Sequence, residues 1–344
     1  MPYQYTPLTQ GQYAPFRTLN SADYKALQSP IIDVLSDKAT KKMFNFMTGG
    51  IIPNDSDVSK LGDKSRIITR LYGGSMPLGL RPEGGPIPLG SIPTGPEKMT
   101  SFSEYALKLQ FTDTAIDDDK NVNLKTKALE ALHRGVIVTQ NYQFAQLFDT
   151  GFDAISPTYK CADGKNLYST EHSSIKNQEV RSNYIKNGSA DIALDAGDGN
   201  TGLALQLATI YMAKYRDMSG MPCPIGTDKL ILLVSPDLYP AARKLVGENI
   251  VSSYKPQTPA QGTPQFLISN GRWEVVQCPW FDKPNSYHVI SPSDLDDLSF
   301  FIRQAPKVNE SWDTDGTMWS INIRARWALN LVDWKGTLGG KSAA

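Results

Sequence analysis

Apolar and polar residues change rhythm several times along this chain, and each change marks an element. Between Val122 and Phe148 there is no proline and one glycine, and Leu124, Ala128, Leu132 and Val136 recur every four residues. Leu129, Ala131, Phe144, Leu147 and Phe148 widen the stripe. That period predicts one amphipathic helix, about 40 Å long at ~1.5 Å per residue, enough to act as the spine of a domain. Near the C-terminus the period falls to two. Trp319, Ile321, Ile323, Ala325, Trp327 and Leu329 share one face, with Asn322, Arg324, Arg326 and Asn330 on the other. This predicts a half-buried strand of unusual length. Burying each large side chain is worth about 1.5–3 kcal/mol, so the strand is expected to pack under the spine helix.

Two more extended stretches, Arg66 to Gly73 and Glu104 to Ile116, flank a segment of opposite character. In the second, Tyr105, Leu107, Leu109 and Phe111 alternate with Ala106, Lys108 and Gln110. Between them, Gly73 to Pro96 contains thirteen Gly or Pro among twenty-four residues, which excludes a helix and makes a poor central strand. Residues 62–118 therefore read as a long β-ribbon whose apex cannot pack a core of its own. A lone two-stranded ribbon is marginal in water, so its apolar face needs a cover. A second copy of the chain would make the ribbon an assembly arm; the alternative is a hairpin folded back on its own domain.

The remaining pattern is α+β. The first sixty residues hold short amphipathic pieces, Ser21 to Leu27 and Asp37 to Met47, with Gly49-Gly50 ending the second. Residues 151–200 are polar and turn-rich. A helix is predicted from Thr201 to Met218, a buried strand from Lys229 to Val234, a Pro-started helix through Val246, and strands over Trp273 to Gln277 and Tyr287 to Ile290. At 344 residues the chain exceeds what one core comfortably supports, and this compact unit is the natural second domain.

Composition narrows the function. Hydrophobic residues make up 40% and charged residues 20%, as in a soluble globular protein. Thirty-five basic and thirty-five acidic residues cancel, which lacks the broad positive field of a nucleic-acid-wrapping protein and leaves little repulsion against self-association. Cys161, Cys223 and Cys278 are too few and too scattered for a disulfide framework and read as reduced, intracellular thiols. No signal-peptide pattern or membrane span is recognisable, so the expected product is unexported and makes no membrane contact. The glycosylation pattern at Asn187-Gly188-Ser189 then carries no weight.

Candidate chemistry is sparse. Asp117, Asp118 and Asp119 precede the spine helix, where acidic groups stabilise a helix start; they lack the loop a calcium site needs. Of the three histidines, His133 and His288 fall within regular elements. His172 lies in a polar segment eleven residues after Cys161, which allows a Cys/His or Ser/His hydrolase as a rival reading. Gly339-Gly-Lys-Ser342 resembles the end of a phosphate loop, but Lys335 occupies the leading glycine position and no helix follows.

Three motifs add to this order of elements: Asp163-Gly-Lys-Asn-Leu-Tyr-Ser-Thr-Glu-His172, the Lys229 to Pro240 strand and Pro turn, and Trp327-Ala-Leu-Asn-Leu-Val-Asp-Trp-Lys-Gly336. Together they resemble the major capsid protein of tailed bacteriophages over most of residues 20–336, the Mu-like branch being most similar. The resemblance implies an α+β capsid fold: an N-terminal arm (1–61), an extended β-hairpin loop (62–118), the spine helix and peripheral domain (119–194), an axial domain (195–292), and C-terminal strands completing the peripheral domain (293–344). It implies a non-enzymatic shell subunit without cofactor or metal, forming the hexamers and pentamers of an icosahedral or prolate head in the host cytoplasm. Portal and scaffolding proteins are the implied partners, with packaged DNA contacted weakly. Arg66, Arg70, Tyr72, Arg81, Glu83, Lys98, Tyr105, Leu107, Leu109 and Phe111 would be the inter-subunit residues of the extended loop. Lys98 and Lys108 lie in that loop, but nothing marks a crosslinking partner. An encapsulin-type compartment shell is the alternative with the same fold.

Overall fold

The computed structural model describes residues 45–46, 51, 54–55, 65–71, 78–81, 83–87, 89–90, 94–117, 124–153, 159–173, 180–194, 202–216, 222–246, 272–295, 298–313 and 315–342. The expected N-terminal amphipathic pieces, apart from Asn45 and Phe46, lie outside these residues, as do Asp118 and Asp119. In chain order the elements begin with β1 (Asn54–Asp55), β2 (Ser65–Leu71), β3 (Thr94–Ser101), β4 (Ser103–Thr112), α1 (Asp113–Asp117) and α2 (Leu124–Asp149). Four short strands follow: β5 (His172–Ser173), β6 (Val180–Arg181), β7 (Lys186–Asn187) and β8 (Ala190–Asp191). The rest are α3 (Leu203–Ala213), β9 (Leu230–Val234), α4 (Tyr239–Val246), β10 (Trp273–Gln277), β11 (Ser286–Ile290), β12 (Leu298–Trp312), β13 (Met318–Leu331) and β14 (Thr337–Lys341). No helix among the described residues is long and apolar enough to cross a membrane.

The chain forms two units, each discontinuous in sequence: Met1–Lys64, Ser101–Phe144 and Phe300–Leu329, and then Ser65–Thr100, Ala145–Ser299 and Asn330–Ala344. The first unit holds a four-stranded sheet in the order β1-β12-β13-β4. Its core follows from the two periodicities. Leu129 and Leu132 of α2 meet Trp319, Ile321 and Ile323 of β13, with Ile116 and Ala128 completing the buried cluster. Lys125, at the start of α2, is buried with its ammonium 5.1 Å from the Trp319 ring centre and 5.7 Å from that of Trp312, where the indole faces attract the cation. Phe46 stacks on Phe144 and its amide donates to Asn141 Oδ1 at 2.8 Å.

The second unit is built on the sheet β10-β9-β11-β14. β9 and β10 run parallel, joined by a crossover containing α4, which packs on both. β11 is antiparallel to β9 and to β14. Every residue of β9 is buried, as its continuous Leu-Ile-Leu-Leu-Val run requires. The polar stretch before α3 contains two miniature hairpins, β5-β6 and β7-β8, the second turning at Gly188 with φ of 64°.

One expected pairing is corrected. Glu104 to Ile116 is not the second arm of the ribbon: β2 pairs with β3, while β4 is an edge strand antiparallel to β13 and the segment ends in α1. The reason is cross-strand matching. Phe111 faces Trp319, Leu109 faces Ile321 and Tyr105 faces Ala325 in register, so β4 finds apolar partners on β13. The strand that does pair with β2 contains Gly95 and Pro96. A two-stranded ribbon leaves each strand one open edge, which tolerates a proline without an N–H.

Candidate assembly interface

The ribbon β2-β3 is fastened at its base and bare at its tip. Lys98 Nζ donates to the Lys160 carbonyl at 2.5 Å, and Thr100 Oγ1 donates to Asn330 Oδ1 at 2.7 Å, all within the second unit. Burial holds the Lys98 pKa below the ordinary amine value, with the charge of Cys161 pulling the other way. Asn330 itself is buried, although strict alternation along β13 would expose it; Thr100 and Ser299 supply its hydrogen bonds there.

At the apex, Arg81 Nε donates to the Gly85 carbonyl at 2.7 Å and Gly84 adopts φ of 74°, a left-handed geometry that suits glycine. This local turn needs no core. Around it, Leu78, Leu80 and Leu89 are 100%, 96% and 103% exposed and Ile87 is 74% exposed. Four aliphatic side chains left in water forgo on the order of 6–12 kcal/mol of burial free energy. Isolated exposed apolar residues are ordinary, but a cluster of fully bare ones marks an interaction site.

The ten expected interface residues divide. Arg81 and Glu83 are exposed in the apex turn. Arg66 and Arg70 lie in β2, and Tyr72 falls outside the described residues. Lys98 is half-buried at the ribbon base. The β4 residues obtain most of their cover inside their own chain. Tyr105 stacks on Trp327 at 4.3 Å and accepts a 2.7 Å hydrogen bond from Gln143 Nε2, while Leu109 and Phe111 pack on the α2-β13 core. Leu107 remains 43% exposed because it lies opposite Gly135 of α2, which has no side chain to close over it. Residues 78–89 carry a signal that sequence reasoning missed: Leu78 and Leu80, then Ile87 and Leu89, are aliphatics spaced by two in a segment with no room to bury them.

The rival catalytic centre is a structural knot. His172 is fully buried and stacked on Trp334, with Nδ1 2.7 Å from Asp163 Oδ2 and Nε2 3.3 Å from the Leu167 carbonyl. Both ring nitrogens face acceptors, so neither is aimed at the proton of a nucleophile. Burial works to raise the Asp163 pKa, but the hydrogen bond and charge of His172, helped by Lys165, hold it below the usual carboxylate value. His288 is enclosed by Phe148, Phe152, Phe281 and Tyr168, and burial lowers its pKa to about 3. Among the described residues no group of three or more His, Cys, Asp or Glu side chains converges on a metal-sized site. Gly339 and Gly340 sit in β14 beneath aromatic rings: a Cβ on Gly339 would lie 2.6 Å from the Tyr168 ring, and one on Gly340 would collide with Tyr287. These glycines admit side chains, not phosphate.

Comparison with known proteins gives a consistent result. A family model described as phage capsid protein matches residues 96–338. Among solved structures, the mature capsid of bacteriophage PhiM1 superposes with a TM-score of 0.53 at 11% identity, over 88% of each chain. The capsid of cyanophage Pam1 gives 0.52 at 10% identity, over 99% of this chain and 100% of that one. The capsid of Ralstonia phage GP4 gives 0.50 at 12% identity, over 86% and 88%. At such identities the likeness is one of fold. No curated protein matches the chain.

Proposed function

From the premise that the chain belongs to the phage capsid protein family, we propose that its ribbon apex is the arm by which one subunit grips the next. The chain is a major capsid protein, a structural subunit of the virion shell built from many copies. The finer reading is a tailed phage of the Mu-like branch, with hexamers and pentamers closing an icosahedral or prolate head assembled in the host cytoplasm. In that reading residues 195–292 form the axial domain, the spine helix with the C-terminal strands forms the peripheral domain, and portal, scaffolding protein and weakly held DNA are the partners. The subunit performs no catalysis in this role. The family match favours a phage head over a cargo compartment, and the two acceptors facing His172 disfavour a hydrolase.

One observation carries the assembly role: Leu78, Leu80, Ile87 and Leu89 are bare at the tip of a ribbon whose base is fastened by Lys98 and Thr100. Seating each on another copy is worth about 1.5–3 kcal/mol, and repetition around a closed shell multiplies modest contacts into a stable particle. Replacing all four with serine should leave folded subunits that form no closed shells by negative-stain microscopy and sedimentation. Normal particles from that variant would refute the role of the apex.

A further inference from the structure

In the second unit a cavity of about 160 Å³ is bounded by the end of α3, by β6 and by residues from Trp334 to Leu338. Three basic side chains line it, Arg181, Lys214 and Arg216, together with three aromatic ones, Tyr211, Tyr215 and Trp334. Among the described residues, none of the eleven that line it is acidic. Lys214 and Arg216 are exposed, Arg181 and Tyr211 half-buried, and Tyr215 and Trp334 buried. Charge thus lies toward solvent and the rings lie inward.

The walls are already set. Arg181 Nη1 donates to the Arg216 carbonyl, fixing the guanidinium against the end of α3. Trp334 is held between His172, stacked at 4.9 Å, and Tyr215, edge-on at 5.4 Å. The aliphatic lining hydroxyls are spent internally: Thr337 Oγ1 donates to the Trp334 carbonyl at 2.7 Å and Ser182 Oγ to the Tyr184 carbonyl at 3.0 Å. Cations and rings make up most of the polar and planar lining, in a site that needs little ordering before binding.

We propose that this cavity binds a nucleotide, the phosphate on Arg181, Lys214 and Arg216 and the base among the aromatic rings. A cavity of roughly 150 Å³ is known to admit a six-membered aromatic ring, so the space here suits a planar base better than a whole nucleoside. A phosphate monoester carries close to two negative charges and suits a cluster of three cations better than a single carboxylate does. Stacking on aromatic side chains and attraction to basic ones is the general way proteins hold an unpaired nucleotide. The source is either a free nucleotide or an unstacked nucleotide of a strand, and the same chemistry serves both.

Calorimetric titration of the purified full chain with dAMP, deoxyadenosine, inorganic phosphate and a short oligo-dA separates the possibilities. Binding of dAMP at least about tenfold tighter than of deoxyadenosine or phosphate is the result expected for a free nucleotide. Binding of the oligonucleotide without dAMP assigns the strand as the source. In either case Lys214→Glu with Arg216→Glu, both at exposed positions, should weaken binding at least about tenfold while the circular dichroism spectrum stays unchanged. Lys214→Ala alone gives a smaller loss in the same direction. Phosphate binding as tightly as dAMP, unaltered affinity in the charge-reversed variant, or no heat with any ligand up to about 5 mM would overturn the assignment.

Discussion

Replacing Asp149 with asparagine should change how stability depends on pH, in a direction the structure dictates. Asp149 ends α2 and is 5% exposed. Its Oδ2 accepts the Asp282 amide at 2.7 Å, while Oδ1 has no hydrogen-bond partner among the described residues. Burial dominates and pushes its pKa from 3.8 up to about 7, against the Asp282 amide, which favours the charged form. A carboxylate at a helix C-terminus also sits at the unfavourable end of the dipole. Between those two values the folded chain keeps a proton that the unfolded chain has released, so this group's stability contribution is full below about pH 4 and lost by about pH 7. At ~1.4 kcal/mol per unit the loss is about 4 kcal/mol.

His288 works in the opposite sense. Its pKa falls from 6.5 to about 3 in the folded chain, mainly through burial, so acid favours unfolding across that interval. The two slopes oppose each other between about pH 4 and 6.5, and the native protein should show a shallow profile there. Asp149→Asn keeps an acceptor for the Asp282 amide and removes the falling slope, leaving the rising slope of His288, to which His133, its pKa also lowered by burial, adds in the same direction. Urea unfolding from pH 4 to pH 8 should then show stability rising with pH to about 6.5 in the variant, by about 3.5 kcal/mol at ~1.4 kcal/mol per unit. Parallel profiles for the variant and the native chain would refute the reasoning.

Two further substitutions test the packing of the second unit. Gly340→Ala places a Cβ into the Tyr287 ring and should cost at least about 1–3 kcal/mol in thermal unfolding; an unchanged transition would mean the ring can step aside. Asp163→Asn takes the carboxylate charge out of the 2.7 Å contact with His172 and should cost about 1.5–3 kcal/mol at pH 7. Because the Asp163 pKa is depressed in the folded chain, that loss should shrink as pH falls below 3.8 towards the depressed value, and a loss that does not shrink in acid would contradict a stabilising carboxylate at this position.

What could be read from the sequence was what depends on local period. The four-residue spacing located α2 to within two residues at either end, and Trp273–Gln277 is a strand with the bounds expected. What escaped depends on partners. β12, fifteen residues long, hides behind Pro306; among the described residues β1 covers β12 only at Phe300 and Phe301, so the proline lies on a stretch whose edge can spare a donor. β14 hides behind two glycines whose purpose is visible only once Tyr168 and Tyr287 lie across them. The β7-β8 hairpin was legible, because Gly188-Ser189 is a favoured two-residue hairpin loop with glycine at its positive-φ position, although Asn187-Gly188-Ser189 also fits a glycosylation pattern. The apex residues were missed for a different reason: hydrophobic side chains are expected to find cover, and these four find little among the described residues.

That contrast bears on how the subunit divides its labour. The aromatic side chains of β4 and β13 meet inside one chain, Tyr105 on Trp327 and Phe111 on Trp319, so they contribute to folding before any neighbour arrives. The apex aliphatics contribute nothing to that step, because Leu78, Leu80 and Leu89 are as exposed in the folded subunit as in an extended chain. Substitutions at sites without shared partners act independently. The four-serine variant should therefore unfold in urea like the native subunit while losing assembly, whereas Tyr105→Ala should lose subunit stability first. If the serine substitutions instead lowered subunit stability by the ~1.5–3 kcal/mol expected for each buried aliphatic, the apex would have a place within its own fold and would have no need of a neighbour.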